Sequence, residues 1–218
     1  MTDTLDTGET DPIEQLHAVD AARAAHQADG HVTSTGISNE KLGMWVFLGS
    51  ECLLFGGLIS TYLLYKTNDR AGGPLPHKLY DIPFTSISSF VLLMSSLTMV
   101  LAVSAMARGD QRVMRNWLLT TAGLGSIFIS GQVYEFQNFV HEGMGFTTNS
   151  ASSAFFTLTG FHGVHVTIGI IMLLSTTLLS WRGRLGADRA EAVEIVGLYW
   201  HFVDVVWILI FTVVYLIK

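Results

Sequence analysis

Apolar residues along this chain gather into five long runs, at roughly 41–66, 84–107, 115–139, 152–181 and 193–217. Each run exceeds the ~20 residues that cross the hydrocarbon core of a bilayer, and several are long enough to tilt. None shows the period-two alternation of barrel strands. Lipid cannot hydrogen-bond an open backbone, so runs of this kind are helices. The pattern predicts an all-α, polytopic membrane protein: a five-transmembrane-helix bundle whose membrane domain covers residues 38–218. Residues 1–37 read as a polar, acidic, disordered tail rather than a secretory signal, because they lack a short apolar core followed by a cleavage site.

The connections are short and polar. The segment 68–83 holds three of the four prolines and a Gly-Gly pair, and Arg108-Gly109-Asp110 reads as a tight turn. Residues 141–150 are glycine-rich without Lys or Arg, whereas 182–191 carry three arginines. Lysine and arginine counts orient the chain. With the N-terminus inside, Arg23, Lys41, Arg108, Arg112, Arg115, Arg182, Arg184 and Arg189 lie inside; Lys66, Arg70, Lys78 and Lys218 lie outside. Eight against four predicts a cytoplasmic N-terminus and a periplasmic C-terminus.

Charge adds one asymmetry. Residues 1–39 hold seven acids and one base, Arg23, so the formal charge of −6 for the whole chain resides there. Such a tail is a poor ligand for nucleic acid or anionic lipid. His17, His26 and His31 among those acids allow a proton-collecting tail as well as a plain solvated one. Cys52 is the single cysteine, which leaves no disulfide and no thiolate cluster within the chain.

Small residues suggest close helix packing: Ala122, Ser126 and Ser130 every four residues, and Gly56 with Ser60. The five tryptophans suit an interfacial belt, except that Trp200 and Trp207 flank Asp204 within the last run and read as packing residues.

Ionisable groups inside the runs carry the functional question, since membrane helices hide few of them without reason. At ~1.5 Å per residue, Glu51 lies about 15 Å into the first helix, His162 and His165 about 15–20 Å into the fourth, and His201 and Asp204 about 12–17 Å into the fifth. Glu135, about 30 Å into the third, belongs near the outer interface. His162 and His165 share a helix face, as do His201 and Asp204. Buried singly these charges are costly, so pairing is expected: Asp204 with a histidine of the fourth helix, or a protonated Glu51. Three roles are open: tying helices together, handling protons or lipid headgroups, and ligating metal or haem. The last is disfavoured by awkward i, i+3 geometry and by the lack of a supporting carboxylate or cysteine set. No nucleophile elbow, phosphate loop or haem-attachment cysteine pair is present.

The last run, Tyr199-Trp200-His201-Phe202-Val203-Asp204-Val205-Val206-Trp207, resembles the signature of subunit III of haem-copper terminal oxidases. Gly160-Phe161-His162-Gly163-Val164-His165-Val166, Ser50-Glu51 ahead of Leu53-Leu54-Phe55-Gly56, and Gly131-Gln132-Val133-Tyr134-Glu135-Phe136 resemble three further motifs of that family. The chain is similar to the bacterial five-helix form, which lacks the first two of seven helices; another subunit would supply them. The resemblance implies an accessory subunit with no catalytic residues and no haem, copper or other metal of its own. Haem and copper would sit in partner subunits of a cell-membrane complex that reduces O2 to water and pumps protons. It also implies packing on catalytic subunit I, with subunit II and a small subunit IV in the complex. Phospholipids would be held in a cleft, and proton uptake and stability in turnover sustained. Glu51 matches the family's buried carbodiimide-reactive glutamate. Glu51, His162, His165, His201, Asp204 and Glu135 are therefore the proton- or lipid-related candidates. Cytochrome c is the preferred electron donor and quinol the alternative. A stand-alone membrane haem or proton carrier is the rival of another class.

Overall fold

A computed structural model describes residues 38–67, 82–184 and 190–217, and all of its long elements are helical. The helices are α1 (Asn39–Thr67), α2 (Ile82–Ala107), α3 (Gln111–His141), α4 (Ser150–Trp181) and α5 (Ala190–Phe211). The last continues into a π-helical turn, Thr212–Leu216. Each helix begins and ends within four residues of an apolar run, α5 with its π turn included. The tail 1–37 and residues 68–81 and 185–189 of the connections lie outside the described residues.

Two compact units divide at Gly43. In the first, Ser38 caps the start of α1: its Oγ accepts from Lys41 N at 3.2 Å. The second, Met44–Lys218, is the helical bundle. Four helices, α1, α2, α4 and α5 with its π turn, are long and apolar enough to cross a membrane. α3 is equally long, but Thr, Ser, Gly, Gln and Arg dilute its apolar stretch.

Helix ends follow local chemistry. Asp110 Oδ1 caps α3 by accepting from Val113 N at 3.2 Å, and Asn149 Oδ1 caps α4 by accepting from Ser152 N at 2.7 Å. α2 and α4 each close with a left-handed glycine, Gly109 (φ 78°) and Gly183 (φ 66°). Asp110 N and Arg184 N then reach back to the carbonyls of Ala105 and Leu179, both at 3.0 Å. This is the Schellman arrangement, which needs a residue without a Cβ penalty at positive φ.

The four later helices form a closed ring, in which α2 packs on α3 and α5, and α4 on α3 and α5. Trp200 of α5 fills the centre of the ring, fully buried. Its indole lies against two glycines. A Cβ on Gly125 of α3 would stand 2.6 Å from its ring, and one on Gly169 of α4 2.8 Å. Its Nε1 donates to Ser95 Oγ of α2 at 3.0 Å. One side chain thus contacts all three other helices of the ring. Seven residues on, Trp207 Nε1 donates to Ser89 Oγ of α2 at 2.9 Å, and Phe128 of α3 meets its ring edge-on at 4.8 Å.

The expected small-residue stripe contributes less. Ala122 is buried, but Ser126 and Ser130 are exposed, and their hydroxyls donate to the carbonyls four residues back in their own helix. Gly56 likewise faces open space. Gly125 and Gly169 perform the close approach instead. α1 touches the ring lightly. At its C-terminal end Lys66 Nζ donates to the carbonyls of Val213 (3.3 Å) and Ile217, capping the end of the π turn.

Gly169→Ala forces its new methyl against a rigid indole, so it should destabilise the bundle by about 1–3 kcal/mol. Thermal unfolding of the detergent-solubilised protein measures this. Trp200→Leu in the same chain should recover part of the loss; a double variant no better than the single one would contradict the wedge.

Candidate functional site

α1, α4 and α5 bring their mid-helix polar residues to the same level, but not in the expected pairing. His165 of α4 points to α1, where its Nε2 lies 3.1 Å from Glu51 Oε2. The other ring nitrogen, Nδ1, is 2.7 Å from the carbonyl oxygen of Phe161. A carbonyl only accepts, so Nδ1 carries a proton and donates. Nε2 and the Glu51 carboxylate then both act as acceptors unless one further proton lies between them. A hydrogen bond across this 3.1 Å contact needs a proton on one of the two facing atoms. Phe55 closes over the imidazole edge-on at 5.1 Å. Tyr199 of α5 donates from its hydroxyl to the His165 backbone carbonyl at 3.0 Å. Glu51, His165 and Tyr199 thus join three helices.

His162 turns the other way, into the ring. It is fully buried, stacked on Trp207 at 4.9 Å and 26°, and edge-on to Phe128 at 6.0 Å. Neither of its ring nitrogens has a hydrogen-bond partner. The two histidines share a helix, three residues apart, but serve different neighbours.

Asp204 does not meet either of them as a hydrogen-bond partner, which corrects the expected pairing. It is buried, and neither carboxylate oxygen makes a hydrogen bond of normal geometry. Ser96 of α2, the hydroxyl beside it, is engaged by His201 Nδ1 at 2.6 Å. The physical reason is rotation: Asp204 and His201 look toward α2, while His165 looks toward α1. Among the described residues, no group of three or more His, Cys, Asp or Glu side chains is close enough to hold a metal ion.

Glu135 belongs near the end of its helix, as its position predicts, but it faces inward. It is buried and accepts from Thr85 Oγ1 of α2 (2.9 Å) and Tyr215 OH of the π turn (3.2 Å). Together with Lys66 it fastens the chain end to the bundle. Gln132, one turn before it, donates from Nε2 to the Thr159 carbonyl of α4 at 3.0 Å.

The hydroxyl partners Thr85, Ser89, Ser95 and Ser96 on α2, and Tyr199 and Tyr215 on α5 and its extension, are not among the residues that the sequence singles out as candidates. A signal existed in α2, where hydroxyl residues recur at helical spacing inside an otherwise apolar run.

Replacing Glu51 by Gln keeps a side-chain donor opposite His165 Nε2, so stability should stay within about 0.5 kcal/mol of the parent, whereas Glu51→Leu strands a buried imidazole nitrogen and should cost about 1–3 kcal/mol. Chemical unfolding of both variants checks this. Infrared difference spectra should lose the Glu51 carboxyl signal in each; equal destabilisation by Gln and Leu would remove the hydrogen bond from the account.

The family model for cytochrome c oxidase subunit III matches residues 16–218, starting ahead of residue 38, from which the sequence motifs were read. Cytochrome c oxidase subunit 3 of Bacillus sp. (strain PS3) is 43% identical over 178 residues, covering 82% of this chain and 86% of that protein. Quinol oxidase subunit 3 of Bacillus subtilis (strain 168) is 42% identical over 175 residues, covering 80% and 85%. Probable quinol oxidase subunit 3 of Staphylococcus saprophyticus is 42% identical over 178 residues, covering 81% and 88%.

Proposed function

The chain belongs to the cytochrome c oxidase subunit III family, and on that premise we propose that it is the non-redox subunit III of a proton-pumping haem-copper oxidase that takes electrons from cytochrome c. It is a multi-pass protein of the bacterial membrane, part of a terminal oxidase complex. In this reading it packs on catalytic subunit I, with subunit II and a small subunit IV completing the complex. Haem and copper reside in those partners, and none is held by this chain. The subunit retains phospholipids and sustains proton uptake and stability in turnover. α3 counts as a fifth span, because it packs between α2 and α4 and joins α2 by a tight turn. The N-terminus is cytoplasmic, from the lysine and arginine bias.

The observation that carries the reading is the way the polar layer is used. Glu51, His165 and His201 of the layer, and Glu135 nearer the end of α3, each engage a neighbouring helix, so these polar groups bind the scaffold together. The Glu51–His165 pair is the candidate for influence on proton uptake. His162 is buried without a hydrogen-bond partner and acts through packing, while Asp204 lies buried beside the Ser96 hydroxyl. Quinol as donor is the second reading, favoured by relatives that carry that name at nearly the same identity.

Affinity purification of the tagged chain from native membranes in mild detergent should yield haem, copper and O2 consumption driven by reduced cytochrome c. Activity with quinol alone, and no dicopper signal, would move the assignment to the second reading. A chain that runs alone, or one with a Soret band of its own, would defeat both.

Within that complex, Glu51→Gln should leave subunit composition and haem spectra unchanged while hastening inactivation during continuous turnover. Loss of haem from the variant complex would place Glu51 elsewhere than in this scaffold.

A further inference from the structure

The histidines at mid-helix level have their ring protons governed in different ways. His165 donates from Nδ1 to the Phe161 carbonyl, an atom that only accepts. His162 is sealed among rings, with both nitrogens unpaired. His201 faces a hydroxyl: its Nδ1 lies 2.6 Å from Ser96 Oγ of α2. A hydroxyl can donate or accept, so this bond alone allows either neutral tautomer of the ring.

A buried acid on the far side of Ser96 removes that freedom. Asp204 stands three residues from His201, on the same face of α5, and beside the same hydroxyl. Its side chain is buried, and no other hydrogen-bond partner serves its carboxyl oxygens among the described residues. Ser96 carries a single hydroxyl hydrogen. Turned toward Asp204, that hydrogen leaves the oxygen to accept from Nδ1–H, and Nε2 is a bare acceptor. Turned toward Nδ1, it leaves the oxygen to accept from the carboxyl, and Nε2 carries the ring hydrogen. Any other combination opposes two hydrogens or two lone pairs inside the bundle, which disfavours it by about tenfold or more.

The far nitrogen of the ring looks outward. His201 is half-buried, and its Nε2 is not one of the sealed polar atoms and has no partner among the described residues. Leu97, next to Ser96, and Val205, one turn from His201, are both exposed. Hydrocarbon offers such an atom no hydrogen bond, so the form it takes decides which polar group of a neighbour it can meet.

We propose that Asp204 is a positioning residue: through Ser96 it fixes the tautomer of His201, and so sets whether the nitrogen offered outside the bundle is a donor or an acceptor. This gives a task to a buried acid that the scaffold role described above leaves without one.

Solid-state NMR of the full chain in lipid bilayers, with histidine labelled in its ring carbons and nitrogens, tests this. The His201 signals are those lost in His201→Gln. The parent should show one neutral tautomer of His201, in about tenfold excess or more. Asp204→Leu should show both in comparable amounts, and so should Ser96→Ala. Asp204→Ala repeats the first test with a smaller side chain, in case the leucine prevents insertion. Thr98→Ala removes another buried hydroxyl of α2, one bonded to Thr121 at 2.8 Å, and should leave the parent tautomer in place. A mixture or a doubly protonated ring in the parent, the parent's single tautomer in the Asp204 variants or in Ser96→Ala, or a mixture in Thr98→Ala would each overturn the proposal.

Discussion

The bundle depends on the seating of one indole. In a membrane, helices gain little from hiding apolar surface, because lipid is as apolar as leucine; close packing and interhelical hydrogen bonds decide which faces meet. Trp200 supplies both. Its ring needs the missing side chains of Gly125 and Gly169, and its N–H needs Ser95. The rotation of α2, α3 and α4 about their own axes is thereby fixed relative to α5. Trp207 repeats the arrangement two turns along, with Ser89 as its acceptor and His162 and Phe128 as its walls. Membrane hydrogen bonds of this kind contribute about 0.6 kcal/mol on average, so shape, rather than any single bond, makes the arrangement unique.

α1 is attached on different terms. Gly49, Gly56 and Gly57 have nothing of this chain within reach of a Cβ, and Leu53 is 80% exposed. Its polar ties are at two heights: Glu51 to His165 in the middle, Lys66 to the last carbonyls of the chain at one end. The middle tie is a side-chain pair in place of a packed wedge.

The helices were legible because long, continuous apolarity is enough to define them. Rotation was not legible. α2 and α4 are apolar on nearly every side, so lipid-facing and buried faces look alike in sequence. That is why Asp204 seemed a partner for a histidine of α4: both lie at one level, but they look in different directions. The wedge glycines were hidden for a related reason. With 21 glycines in the chain, nothing separates Gly125 and Gly169 from Gly56 or Gly123 until an indole is placed beside them. Glu135 is a further case: the inward turn of its side chain, toward Thr85 and Tyr215, required the fold.

α3 shows why average composition misjudges a helix of this kind. Its polar residues are not distributed as on a solvated surface. Gln132 and Glu135 point into the bundle and meet Thr159, Thr85 and Tyr215, so part of their desolvation cost is offset by hydrogen bonds. Arg112 and Arg115 lie within its first two turns, where long side chains reach the interface and keep their charge in water. Thr120, Ser126 and Ser130 satisfy their hydroxyls on carbonyls of their own helix. The exposed apolar residues are Leu119, Ile127, Val133, Tyr134 and Val140, with Asn116, Gln137 and Asn138 exposed beside them. Counting every residue alike makes α3 the least apolar of the five helices, and it lacks the continuous apolar stretch that the other four carry.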